Sequence, residues 1–205
     1  MMYLKWLVYA VIDVLFNVVC YLTNPIVVLT SSEYGNLPRL LIWWDNYDDC
    51  LDVEYFVKDH APHWARYDYD KHYKFHSNVE SLQTRGIYKS YVDILDPYFT
   101  FKERLQRYIC RVLWLYRNNA YGFSYYVTGV VVKAEDVIKI KTSEVNGYTW
   151  YKTSYAFCYK DERPSFSGMR WDNYVGWKLN WLKAGEEERC MLAVRITPFA
   201  RGDES

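Results

Sequence analysis

The sequence contains no C-x-x-C pair, no G-x-S-x-G elbow, no P-loop, no G-x-G-x-x-G turn and no H-E-x-x-H helix. These absences remove the local signatures of zinc knuckles and thioredoxin-type redox sites, of hydrolase nucleophiles, of phosphate-cradling loops and of zinc proteases. It also lacks net charge: lysine plus arginine and aspartate plus glutamate number 25 each. No global field therefore draws the chain to nucleic acid. Repeats and low-complexity tracts are absent too. Cysteine is sparse, and Cys20, Cys50, Cys110, Cys158 and Cys190 are scattered and odd in number. That spacing predicts reduced, buried thiols in a domain facing the cytosol.

Aromatic residues are plentiful, at 20% of 205 residues with 22 Tyr and 9 Trp. Such side chains suit a β-rich core, a sugar-binding or protein interface, or a membrane border. Residues 6–32 are the longest apolar run, with Asp13 as the one charge. Asn24-Pro25 is expected to end or kink a helix there, leaving about twenty helical residues, enough to span a bilayer. Asp13, Asn17, Cys20 and Asn24 fall at i, i+4, i+7 and i+11, a narrow polar stripe. An aspartate at bilayer centre costs roughly 2.5–3.5 kcal/mol on insertion scales, which disfavours a lone lipid-exposed span. Three readings remain: a membrane helix packed on partners, a membrane-surface helix, or a core helix whose stripe faces polar backbone. The absence of an A-x-A-like site argues against a secretory signal peptide.

Residues Asp96 to Gly129 organise the rest. Thr100 and Glu103 form an S/T-x-x-E capping box. Phe101, Leu105, Tyr108, Ile109, Val112 and Tyr116 then recur at helical spacing, with Arg104, Arg107 and Arg111 on another face. Asn118-Asn119 and Gly122 read as the stop, and Phe123 to Val132 as a strand. Ile87 to Leu95 reads as a strand before the helix. After it come Val137 to Lys141, an Asn146-Gly147 hairpin with Tyr148 to Tyr159 as return arm, then Asn173 to Leu182 and Cys190 to Ile196. The fold class is α+β: an N-terminal apolar helix and one central amphipathic helix, about 100–118, packed on a C-terminal antiparallel β-meander. Residues 1–32 form the apolar helix, as membrane anchor or core helix, and 33–205 a single α+β globular domain.

The sharpest chemical constellation is His60, His63, His72 and His76, with Asp68 and Asp70 between them. Imidazole with carboxylate suits a divalent transition metal, and His72 and His76 share a face if helical. In an extended chain they lie roughly 13 Å apart, too far to chelate together. The plainer reading is hydrogen-bonding surface histidines and no cofactor. From Trp43 to Asp70 eight acidic residues face only Lys58 and Arg66. They form a solvated rim, or one facing the row Arg104, Arg107 and Arg111, which could itself contact phosphate or anionic lipid. Tyr125, Trp150, Trp177 and Trp181 could make an aromatic platform for nucleic acid, against which the zero net charge argues.

The segments YLTNPIVVL (Tyr21 to Leu29), LDVEYF (Leu51 to Phe56), YICRVLWLYRNNAYGFSYYVTG (Tyr108 to Gly129) and YVGWKL (Tyr174 to Leu179) resemble a family of small proteins of unknown activity encoded by tailed phages and prophages. The resemblance implies a phage-encoded accessory protein and transfers no functional residues. The first expectation is a non-enzymatic interaction module, held on a host or phage protein or at the inner membrane by residues 3–24. It would work in the host cytoplasm or at the cytoplasmic face of that membrane. The alternatives are a metal-dependent hydrolase built on the histidine cluster, and a minor virion or assembly component whose apolar N-terminus packs between subunits of an oligomer.

Overall fold

A computed structural model describes residues 1–80, 89–143, 148–164, 169–179 and 187–201. The chain divides into two compact units, Met1–Val14 with Ser124–Ser205, and Leu15–Phe123. The division falls inside the first helix, α1 (Met2–Val28), which contributes its first turns to one unit and its last turns to the other.

Pro25 does not end α1; the helix runs on to Val28. Proline lacks the N–H that would bond the carbonyl four residues back, so the Tyr21 carbonyl loses its helical donor. The Tyr116 hydroxyl donates to that carbonyl at 3.2 Å, and the Tyr108 hydroxyl to the Pro25 carbonyl at 3.0 Å. Thr30 and Ser31 hydroxyls close the final turn on the Val27 and Val28 carbonyls.

In the Leu15–Phe123 unit a one-turn helix α2 (Tyr69–His72) leads into β1 (Tyr73–His76), which pairs antiparallel with β2 (Tyr91–Ile94). The long helix α3 (Phe101–Arg117) begins at Thr100, and both halves of the capping box are formed. Its buried side carries Cys110, Arg111, Val112, Trp114 and Leu115. The stripe expected to be buried is thus rotated: Phe101 is 84% exposed and Leu105 is half exposed. The core around Trp114 is closed by Cys50, Leu51, Val53, Phe56, Val57 and Tyr73. Apart from Tyr73, which opens β1, those residues come from short turns of the acidic segment, so that segment supplies core as well as surface.

The strand expected over Phe123 to Val132 is instead helix α4 (Tyr121–Tyr126) followed by β3 (Val130–Lys133). Packing overrides β-propensity here. Phe123 stacks on Phe16 at 4.2 Å, and its N–H donates to the Trp43 carbonyl. Gly122 is not a helix stop. A Cβ on it would lie 2.0 Å from the Ile42 carbonyl oxygen, so only glycine admits that backbone approach. Ala120, at φ 54°, makes the left-handed turn between α3 and α4.

In the other unit β4 (Ile138–Ser143), β5 (Tyr148–Lys152), β6 (Phe157–Asp161) and β7 (Met169–Trp177) run as an antiparallel meander. The strand β9 (Leu192–Arg201) completes this five-stranded sheet beside β7. The strand β8 (Glu187–Cys190) pairs with β3. The expected return arm Tyr148 to Tyr159 is therefore two strands, split by a turn in which the Thr153 hydroxyl accepts from the Tyr155 and Ala156 N–H groups. Asn146-Gly147 and Gly185 lie outside the described residues, as does Trp181. Trp177 is fully buried and donates to the Thr128 carbonyl at 2.9 Å, which removes it from any exposed platform. The α+β class holds.

Gly122→Ala is expected to destabilise the protein by about 1–3 kcal/mol, because a carbonyl in a packed turn must move. Urea unfolding measures this, and a change below about 0.5 kcal/mol would mean that the approach of Ile42 relaxes freely.

Candidate functional site

The histidines do not assemble. The chain switches from helix to strand at Tyr73, so His72 and His76 share no helical face. His72 is fully buried. Its Nδ1 lies 2.9 Å from the Asp96 carbonyl and its Nε2 3.3 Å from Glu103 Oε1, while its ring stacks on Phe99 at 3.8 Å. His76 is clamped between Glu80 and Asp93, at 2.8 and 2.9 Å, and stacks on Tyr91. Each ring nitrogen of this pair faces an acceptor oxygen, so no lone pair is left turned outward for a metal. His60 and His63 are exposed. Asp68 caps α2 by accepting from the Lys71 N–H, and Asp70 pairs with Lys58 at 2.7 Å. Among the described residues no three His, Cys, Asp or Glu side chains converge as a metal site would need. Within the acidic segment Asp45 pairs with Lys89, and Glu54 shares Lys58 with Asp70.

The arginine row splits by role. Arg111 is buried and forms a two-pronged pair with the buried Asp52, and its third nitrogen reaches Ser31 Oγ at 2.7 Å and the Ser32 carbonyl at 3.0 Å. It ties α3 to the loop after α1 and is unavailable to lipid. The acidic segment therefore does face the arginine row, through Asp52. Arg107 donates to the Glu33 carbonyl at 2.7 Å and lies over the rings of Tyr73 and Phe99. Arg104 is exposed. Arg104 and Arg107, with Glu33, Tyr73, Ile94, Pro97 and Phe99, line a cavity of about 280 Å³. Nothing in the helical spacing singled out Glu33, Tyr73 or Phe99.

The polar stripe on α1 is used by the chain itself. Asp13 accepts from the Ser124 hydroxyl. Asn119 donates to the Asn17 carbonyl and side-chain oxygen, both at 2.8 Å, and accepts from the Asn24 amide at 2.9 Å. Cys20 is fully buried beside Phe123 and Ala120. The opposite side of α1 is a continuous apolar surface: thirteen large apolar side chains between Tyr3 and Ile26 are at least 42% exposed, and Leu22 reaches 75%. At 3.6 residues per turn these positions sweep about half the circumference, along a helix about 40 Å long.

The chain belongs to a family of unknown function, DUF7338. The family's profile matches residues 1–203, nearly the whole sequence, so both units are family property. No curated protein and no solved structure matches the chain. The site must therefore be read from its own chemistry, which names no nucleophile. All five cysteines are buried and outside any disulfide, and burial pushes the thiols of Cys50, Cys110 and Cys190 up to about 12, so these three are not ready thiolates.

Two outcomes test this reading. Asp52→Ala leaves Arg111 buried without its carboxylate and is expected to cost about 3–5 kcal/mol by urea unfolding. Glu103 is held down to about 2 by hydrogen bonds from Thr100, with a further bond from His72. A carboxylate depressed in the fold stabilises fully above its ordinary value near 4.5 and loses that contribution as pH falls toward 2. The melting-temperature gap between wild type and Glu103→Gln should therefore be open at pH 7, narrow below about 4.5 and close as pH falls to about 2.

Proposed function

We propose that the protein is a non-enzymatic accessory protein bound in the plane of a membrane through the outer face of α1, with both units on the aqueous side. The observation that carries this is the exposed apolar half-cylinder from Tyr3 to Ile26, opposite a polar stripe that hydrogen-bonds within the chain. A helix packed on one protein partner needs an apolar stripe roughly 100° wide. About twice that is uncovered here, which suits a fluid apolar phase that wraps whatever is presented. Such a patch also exceeds what soluble monomers normally leave open.

The helix is long and apolar enough to cross a bilayer. Its inward side argues for the plane instead. Trp6 and Ala10 pack on the core around Trp177, and Phe16 and Cys20 pack on Phe123. A transverse path would draw those partners into hydrocarbon, where their backbones and charges are costly. An interfacial helix needs only its outer face immersed, about 5–10 Å deep. At about 1 kcal/mol for each half-exposed side chain, burial of this face contributes on the order of 10 kcal/mol before the costs of ordering.

We read the proposed membrane as the inner membrane of a host cell, on its cytoplasmic face; five buried thiols outside any disulfide, which suit a reducing compartment, and the resemblance to phage proteins support that reading. Any protein partner would then meet the two units at that surface.

Flotation with phosphatidylcholine vesicles tests the proposal. Wild-type protein should rise with the lipid, and Leu15→Glu/Leu22→Glu, altered only on the outer face, should stay folded and bind at least about tenfold more weakly. Failure of the wild type to float with any vesicle would overturn the proposal. A soluble dimer that the double variant dissociates would assign the face to a second copy instead.

A further inference from the structure

The cavity beside α3 holds a guanidinium that shares its nearest buried carboxylate with a second arginine. Asp52 is the buried carboxylate nearest the arginine row, and Arg111 takes both of its oxygens. Arg107 comes no closer to it than 3.6 Å. The Arg107 side chain is 15% exposed, pressed against two aromatic rings, and its Nε is buried without a hydrogen-bond partner. Desolvating a guanidinium without a full counter-charge is expensive, and proteins rarely leave such a donor unused. Arg104, also on the cavity wall, has no ion-pair partner among the described residues. Two guanidiniums thus converge on one 280 Å³ space, one fixed by the Glu33 carbonyl and one free to close over a ligand. Guanidinium forks match phosphate oxygens in pairs. The remaining wall carries one carboxylate, Glu33, against the two guanidiniums, and is otherwise apolar or aromatic, with Ile94, Pro97, Phe99 and Tyr73, which suits the carbon body of an ester better than a bare ion.

From this geometry we infer that the cavity is a binding site for a small phosphate ester of about the size of glycerol phosphate. Arg107 and Arg104 hold the phosphate, and Phe99 and Tyr73 flank the carbon body. The inference stands apart from the membrane reading, because the same chemistry arrives either as a soluble metabolite or as the headgroup of an anionic lipid.

The test is calorimetric titration of the full chain with sn-glycerol 3-phosphate, inorganic phosphate and glycerol. Glycerol phosphate should bind, inorganic phosphate should bind at least about fivefold more weakly, and glycerol not at all. Arg104→Gln changes an exposed side chain and should keep the fold while weakening glycerol phosphate about tenfold or more. Arg107→Lys keeps the charge but loses the fork, and should weaken it as well. No heat with glycerol phosphate at millimolar concentration overturns the site. Equal binding of inorganic phosphate overturns the ester, and an unchanged Arg104→Gln overturns the assignment of residues. The source is separated by flotation with phosphatidylcholine vesicles with and without phosphatidic acid. A gain with phosphatidic acid that Arg104→Gln abolishes supports a lipid headgroup, and solution binding without that gain supports a soluble ester. Neither result depends on Leu15 or Leu22, so loss of α1 binding and loss of the cavity are read independently.

Discussion

Asn119 decides which way the first helix faces. It sits just past the end of α3 and reaches both Asn17 and Asn24, while Ser124 reaches Asp13. Polar groups on an apolar helix must find partners or remain in water. Here they find them within the chain, and that choice turns the leucine and valine face away. The Tyr116 and Tyr108 hydroxyls extend the same arrangement past Pro25, carrying α1 a further turn. The exposed face is the complement of this hydrogen-bonded seam: the better the seam is satisfied, the more completely the apolar residues are left outside.

A second constraint lies in the arginine row of α3. Two of its guanidiniums, those of Arg111 and Arg107, share one buried carboxylate, and the pair with Arg111 ties the acidic segment and the loop after α1 to the same helix. Paired, the charge is tolerated; singly, either partner would be costly. The excess charge that remains is concentrated at Arg107 and Arg104, beside aromatic walls. A family profile covering both units means that the seam and the cavity are carried together in one chain, although the family's activity is itself unknown.

The sequence made the helix starts and the strand class legible because those signals are local. Thr100 and Glu103 sit three apart, and the capping box forms as read. The meander strands pair antiparallel as read. What escaped was set by tertiary contact. Tyr121–Tyr126 has the aromatic composition of a strand, yet Gly122 lets the Ile42 backbone approach and Phe123 lock onto Phe16. Arg111 has the periodicity of an exposed face, yet Asp52 neutralises it inside the core. The histidines looked like a cluster because they are close in sequence. The helix-to-strand switch at Tyr73 separates them, and Glu103, thirty-one residues from His72, was no neighbour that spacing could suggest. The polar stripe of α1 was visible at i, i+4, i+7 and i+11; its partners, about a hundred residues away, were not.

The central claim is that α1 lies in the membrane plane with its outer half in lipid. Spin labels placed one at a time at Leu4, Leu7, Val11, Leu15, Val18 and Leu22, on protein bound to vesicles, test it through the depth reported by oxygen and a water-soluble nickel chelate. An in-plane helix predicts one shallow depth, roughly 5–10 Å, at all six positions. A depth that changes steadily from Leu4 to Leu22 would mean that the helix crosses the bilayer. Labels that favour the nickel chelate throughout would mean that the face never enters lipid, and either result would contradict the account.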